Sequence, residues 1–455
     1  MSSSTMTVEQ KREQRRQFML EGNLLKVIPV IALPQVVSML IDSLYNMADT
    51  YFVSQLGKAA TAAVGVNDSL MMIMRAIALG FGMGASSYIS RQLGAKNHDE
   101  ATRAASTTLF TAMGIVAVIA TIFYIFRSPL VIMLGATETS KAFSIEYASW
   151  ILFSAPITAA TVCLSQTLRA EGSTTFSMIG SVSGCIINIF LDPLFINVLG
   201  MGVAGAAIAT GISKFISMII LLMPYYQRKC IIDIKPKYFT PKKALYAEIA
   251  RMGIPTMLRT SLMSISTITI NRTAATFGDA ALAAISVANK SLRFVGSAVM
   301  GFGQGFQPVC GFNYGAGLYK RVKEGFWFCV KVSFIILVVI GALGFLFSSN
   351  LISLFRDDPD VIEIGSVALR FQCVFFFGQS WIIMSNMMQQ SMGRTLPATF
   401  LSVARQGLFF IPMVLILPAF WGILGIQMAQ SAADVLTLLC AIPIQLSVLK
   451  SLPDQ

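Results

Sequence analysis

The sequence predicts an all-α membrane protein of twelve transmembrane helices in two pseudo-symmetric six-helix bundles. Composition, apolar runs of spanning length and an internal repeat carry that prediction. Hydrophobic residues make up 55% of the 455-residue chain and charged residues 12%, where soluble domains carry roughly 25% charged residues. The repeat has an offset of 221. QLGKAATAAVGV at 55–66 reads against TFGDAALAAISV at 276–287, so Gly57 pairs with Gly278 (278 − 57). Gly84 pairs with Gly305, Gly94 with Gly315 and Gly172 with Gly393 at the same spacing. Near the end the offset slips to 220, where Gly202-x-x-Gly205 meets Gly422-x-x-Gly425. A duplicated unit in a membrane chain is a feature of transporters that move one half against the other.

The spans fall near 26–52, 60–88, 103–126, 143–166, 175–198 and 203–226, then 247–272, 281–308, 325–348, 364–388, 397–419 and 422–447. Each exceeds the roughly 20 residues needed to cross a bilayer. The domain division is 1–226, a basic linker at 227–246, and 247–455. Pro34 and Pro255 occupy matched positions (255 − 34 = 221) and are candidate flex points. Lys and Arg concentrate in alternate loops, with the linker the densest, and Arg127, Lys141 and Arg272 are among the few on the other side. The bias places both termini in the cytoplasm. It also accounts for the net charge of +12 without nucleic-acid binding. The N-terminal segment is polar and basic, unlike a cleaved signal peptide. His98 is the sole histidine and the seven cysteines form no CxxC. A histidine-based zinc or catalytic site is excluded, and the cysteines read as small core residues.

Charged side chains inside the membrane carry the functional signal, because each costs about 2.5–3.5 kcal/mol at mid-bilayer. The first half holds Asp42, Asp49, Asp68 and Asp192; the positions 221 later are Met263, Ile270, Asn289 and Met413. The second half keeps only Asp434, opposite Lys214 at an offset of 220. Cation chemistry is therefore expected in the N-terminal half. Asp49 and Asp192 each lie eight residues before an outer turn (Gly57 and Gly200), about 12 Å below that end of the helix. Thr210 lies at similar depth on the returning helix, and Tyr147 sits early in the fourth. Asn188 and Asp192 share a face, as do Asp42, Asn46 and Asp49. Each acid also has a structural reading: Asp49 and Asp192 as caps, Asp42 as a partner of Arg75, Asp68 as an interfacial residue. Lys214 is expected to pair with a neighbouring acid. Arg259, Lys290, Arg293, Arg370 and Arg405 in the second half are expected to bond backbone carbonyls or to snorkel.

Four motifs, NMADTYFVSQLG (46–57), LRAEGST (168–174), NIFLDP (188–193) and GFGQGFQPVCGFNYGAGLYKRVKE (301–324), resemble those of the multidrug and toxic compound extrusion (MATE) exporters. The nearest branch is the DinF-like, bacterial one, and the resemblance runs from about residue 20 to 447. It implies two lobes in a V around a central cavity and multi-pass insertion in the bacterial inner (plasma) membrane. It implies export of organic cations or amphiphilic drugs by alternating access against inward H⁺ or Na⁺. It carries the coupling acids onto Asp49 and onto Asn188 with Asp192, and a Tyr and a Thr onto Tyr147 and Thr210. Na⁺ would sit at Asp49, Asn188 and Asp192; Asp42, Asn46 and Asp68 are accessory candidates by their helix positions, not by the resemblance, of which Asp42 is less typical. No catalytic residue, cofactor or enzyme activity is implied, and the partners are a small molecule and lipid around a monomer. Another branch uses acids in the seventh and tenth helices, which this sequence lacks. An exporter or flippase of an endogenous metabolite or lipid-linked precursor is the alternative.

Overall fold

The computed structural model describes residues 8–355 and 358–453; the first seven residues of the basic N-terminal segment lie outside them. A short amphipathic-length helix, α1 (Val8–Glu21), precedes the spans. One lobe is α2 (Leu24–Ser54), α3 (Lys58–Gly94), α4 (His98–Ile125), α5 (Lys141–Ala170), α6 (Thr174–Pro193) and α7 (Gly202–Tyr226). The other is α8 (Lys243–Ala275), α9 (Asp279–Gly315), α10 (Tyr319–Leu346), α11, α12 and α13 (Ile423–Ser451). α11 runs in two pieces, Pro359–Val374 and Gly378–Met392, and α12 runs from Thr395 to Trp421.

Among the described residues nine helices are long and apolar enough to span, and the two pieces of α11 make a tenth. The remaining two, α8 and α9, are longer than most (33 and 37 residues) but more polar. They are recognised as spans through their repeat partners α2 and α3. The sequence places an unbroken tenth span at 364–388. The structure corrects this: α11 bends by 59° at Phe375–Phe377, just before Gly378, which has no Cβ to support the helix through the turn. Both α2 and α8 run through their matched prolines without interruption, which helices in a membrane tolerate when neighbours satisfy the freed backbone. All seven cysteines are free thiols.

The lobes meet through α2 on α9 and α3 on α8, with α3 also crossing α9. Glycine sets these crossings. A Cβ on Gly84 would lie 2.1 Å from the Ile249 carbonyl oxygen, and one on its repeat partner Gly305 would lie 2.2 Å from the Ala32 Cα. Gly94 and Gly315 reproduce the arrangement where α3 crosses α9. All four lie toward the helix ends that carry the basic loops, here the basic end. Hydrogen bonds cross the same seam: Ser87 donates to the Gln390 carbonyl at 2.5 Å, and Arg169 donates to Gln35 at 2.9 Å and to Gln304. The two bundles thus form a V around a central cavity, joined at the basic end.

α1 straps that end. Asn313 donates to the Met19 carbonyl at 3.2 Å and Arg321 to the Gly22 carbonyl at 2.7 Å, from the second lobe. Arg12 donates to the Ile231 carbonyl of the linker at 2.8 Å, and Arg15 lies 3.7 Å from the fully buried Glu171 of the first lobe. Glu171 also accepts from Ser173 and from the backbone N–H groups of Ile231 and Ile232 (2.9 and 3.2 Å). Complete burial pushes its carboxyl above the usual range, opposed by Arg15 and these donors.

Candidate cation site in the first lobe

Asp192 ends α6, one residue before Pro193 and a π turn at Leu194–Val198. A π turn widens the helix by one residue per turn and recurs at functional sites. Here it follows the one acid of α6, whose side chain is 1% exposed. One turn earlier Asn188, 2% exposed, donates to the Thr210 hydroxyl of α7 at 3.4 Å. Asp49 comes from α2 and presents its carboxyl within hydrogen-bonding reach of Asp192. Tyr147 of α5 is buried beside both acids. Five residues from four helices, Asp49, Tyr147, Asn188, Asp192 and Thr210, thus come together in the first lobe.

Its chemistry follows from what is unpaired. By strict geometry no protein donor bonds either carboxylate oxygen of Asp192, and Asn188 Oδ1 is also without a partner. A buried polar group left unpaired costs about 1–3 kcal/mol, more when charged. A buried and a half-buried carboxyl within reach of one another repel when both are charged, and a proton or a cation between them would relieve that. Three convergent acceptor oxygens with no donor are the ligand type that a hard cation takes. Among the described residues there is no group of three or more His, Cys, Asp or Glu side chains able to hold a metal ion. Oxygen ligands of this kind suit a hard cation or a proton better than a soft transition metal, which favours nitrogen and sulfur.

The accessory residues divide. Asp68 is exposed but close enough to feel Asp49 electrostatically. Asp42 turns away to Arg75, 3.3 Å distant, and Asn46 donates to the Asp42 carbonyl; neither joins the carboxyl pair. Lys214 departs from expectation. Its ammonium lies 5.7 Å from the centroid of the Tyr45 ring rather than against an acid, a cation–π contact. Tyr45 itself approaches Thr210 and both acids and was not among the sequence candidates. Its signal is the spacing: Tyr45 is four residues before Asp49 on α2 and shares its face.

The second lobe has a contrasting acid. Asp434 is 6% exposed and saturated: Arg405 Nε donates to it at 2.8 Å, Gln430 at 3.0 Å and Gln379 at 3.1 Å. Three donors satisfy its oxygens, so it needs no further partner. This corrects the expectation for Arg405, which bonds an acid. Arg293 donates to the Thr267 hydroxyl (2.8 Å) and Arg370 to Ser348 (2.8 Å), side chains rather than carbonyls.

A twelve-span protein of two repeated lobes, closed at one end and enclosing a central cavity, is a multi-pass membrane transporter. The MatE family model matches residues 34–194 and 255–416, two segments whose starts stand 221 apart (255 − 34), and the chain belongs to that family. The multidrug export protein MepA of Staphylococcus aureus (strain MSSA476) is 25% identical over 435 residues, covering 94% of this chain and 95% of its own. A structure described as "Outward-facing conformation of a multidrug resistance MATE family transporter of the MOP superfamily" is 26% identical with a TM-score of 0.91, covering 95% of this chain and 98% of that one. A third relative, from Pyrococcus furiosus Vc1 (DSM3638), is 26% identical with a TM-score of 0.89, over 96% and 98%. It is described as having a "Reverse polarity of binding pocket" that "suggests different function".

Proposed function

We propose that this chain is a secondary multidrug exporter that expels organic cations or amphiphilic molecules in exchange for H⁺ or Na⁺. The observation that carries the reading is the carboxyl of Asp192, buried with no bonded donor, within reach of the carboxyl of Asp49. A cation or proton entering from the open side neutralises the pair and relieves the cost of burying it. Because Asp49 rides on α2, which also forms half of the inter-lobe seam, a change in its packing reaches the lobe interface directly. Alternating access is then a rocking of residues 1–226 against 247–455, with 227–246 as the linker. The basic end faces the cytoplasm by the positive-inside rule. The protein works as a monomer in the bacterial plasma membrane, and its open side faces outward.

A second reading, export of an endogenous metabolite or lipid-linked precursor that carries an anion, is favoured by two observations. Arg293 and Arg405 line the cavity of the second lobe, and a relative of similar fold is described as having a pocket of reversed polarity. Flux from everted vesicles tests the proposal. A cationic dye should accumulate when a pH or Na⁺ gradient is imposed and not without one. Accumulation independent of any gradient would exclude coupled export.

A further inference from the structure

The second lobe contains a cavity of about 300 Å³ that the cation site does not use. This is the lower end of the size range for small-molecule pockets, about 300–1,000 Å³. Its floor is the inter-lobe seam. Met300 precedes Gly301, which packs on the Gln35–Val36 backbone, and Met39 of the first lobe closes one side. The walls are mainly apolar, with Phe376, Phe410, Met263 and Leu292, and carry polar groups from Gln372, Gln406 and Asn289.

Its charge is unbalanced. Arg293 and Arg405 line it, and Arg259 lies beside them close enough to repel Arg405. The one acid, Asp434, is already saturated by Arg405 Nε and two glutamines. Nε is one of five guanidinium donors, and the Nη groups of Arg405 bond no protein acceptor among the described residues. The polar partner recorded for Arg259 is the Met300 thioether, at 3.9 Å, a weak acceptor. Three guanidinium groups, Arg293 exposed and the other two half-buried, stand against one acid at this partly open cavity, an excess of positive charge that an anion would offset. Arg405 also sits in a π turn, Ala404–Leu408, in the helix that repeats α6. Each lobe therefore has a π turn at its polar site.

We propose that this cavity binds the oxyanion of an amphiphilic substrate, carboxylate or phosphate, on the guanidinium groups of Arg405 and Arg293, with the apolar body against Phe376, Phe410 and the methionines. Guanidinium groups suit an oxyanion because their planar donors pair with two oxygens at once. The proposal deepens the second, anion-bearing export reading and rests on it for the fate of the ligand. α2 links the two sites, since Met39 lines this cavity and Asp49 the cation pocket.

The test is equilibrium binding to the full chain in phosphatidylcholine nanodiscs, with no gradient, so it fails or succeeds separately from the coupling assay. The probe is a dansyl-labelled fatty acid, compared with its neutral amide and its amine. The carboxylate should bind at least about tenfold tighter than the amide, and Arg293→Gln should remove most of that preference. Arg405→Lys, which keeps a cation on Asp434, should weaken the carboxylate and leave the amide unchanged. Equal affinity for the three probes, or a preference that survives Arg293→Gln in a folded protein, would overturn the proposal. Replacing part of the lipid by phosphatidylglycerol identifies the source. Competition that is lost in Arg293→Gln assigns the site to a lipid headgroup. Undiminished probe binding assigns it to a free amphiphile. Both support an oxyanion site.

Discussion

Asp192 and Asp434 are both buried intramembrane acids, yet their surroundings give them opposite chemistry. Asp434 has three donors and behaves as half of an ion pair; Asp192 has another carboxyl. Removing a charge therefore has different consequences in each lobe. Asp434→Asn leaves Arg405 without its acid and should destabilise the fold by about 3–5 kcal/mol, read as a lower melting temperature in detergent. Asp192→Asn should leave the melting temperature unchanged or higher, since it removes a charge that nothing pairs. Asp49→Asn and the double variant should lose gradient-driven export to the same extent as the poorer single variant, because groups sharing one ion act as a unit. Additive losses from two mild single variants would separate their roles. The sequence located these acids by their depth and their absence from the second half. It missed Tyr45, and it could not tell that Lys214 stacks on that ring, because partner choice depends on how four helices close around the pocket. The Arg405–Asp434 pair was hidden for the same reason: its members are 29 residues apart on different helices.

At the level of elements, apolar runs place all twelve spans in the sequence, and the 221-residue repeat supports α8 and α9, the two most polar of them, which fall short of the hydropathy that marks the other ten. The bend in α11 and the π turns escape both signals, since a bend needs only a few unsatisfied carbonyls and no change in mean apolarity. The glycines of the seam were legible as repeat markers, and the structure supplies their reason. Gly305→Ala would set a methyl group against the Ala32 backbone. It should cost about 1–3 kcal/mol through overpacking, seen as a lowered melting temperature and a shift away from the state closed at the basic end. An unchanged melting temperature would show that the seam yields freely there. The strap formed by α1 adds a titratable element at that end. Glu171 is held above the usual carboxyl range by burial, so the folded protein binds its proton more tightly than the unfolded chain does. That linked stability is complete below the ordinary glutamate value of about 4.3 and is lost as pH rises through the raised one. The difference in melting temperature between wild type and Glu171→Gln should therefore move against the wild type between pH 5 and pH 8. A movement in its favour would mean that Arg15 and the N–H donors dominate.

For the whole molecule, the central claim is that occupancy of the first-lobe carboxyl pair sets the arrangement of two rigid bundles hinged at the basic end. A ligand shifts such an equilibrium only by its differential affinity for the two states, so the unpaired acids must bind their ion more tightly in one of them. Glu138 and Asp279 are exposed and lie on different lobes at the end away from the basic loops, which suits them to spin labels once reactive native cysteines are replaced. The direct measurement is the distance distribution between labels at 138 and 279 by pulsed electron paramagnetic resonance, with the protein in nanodiscs. It is recorded across a pH titration and a Na⁺ titration, in wild type and in Asp192→Asn. The account predicts that one of the two ions moves the wild-type population between a long and a short distance, and that Asp192→Asn holds one distribution throughout. A distribution that responds to the ion equally in wild type and in Asp192→Asn would contradict it.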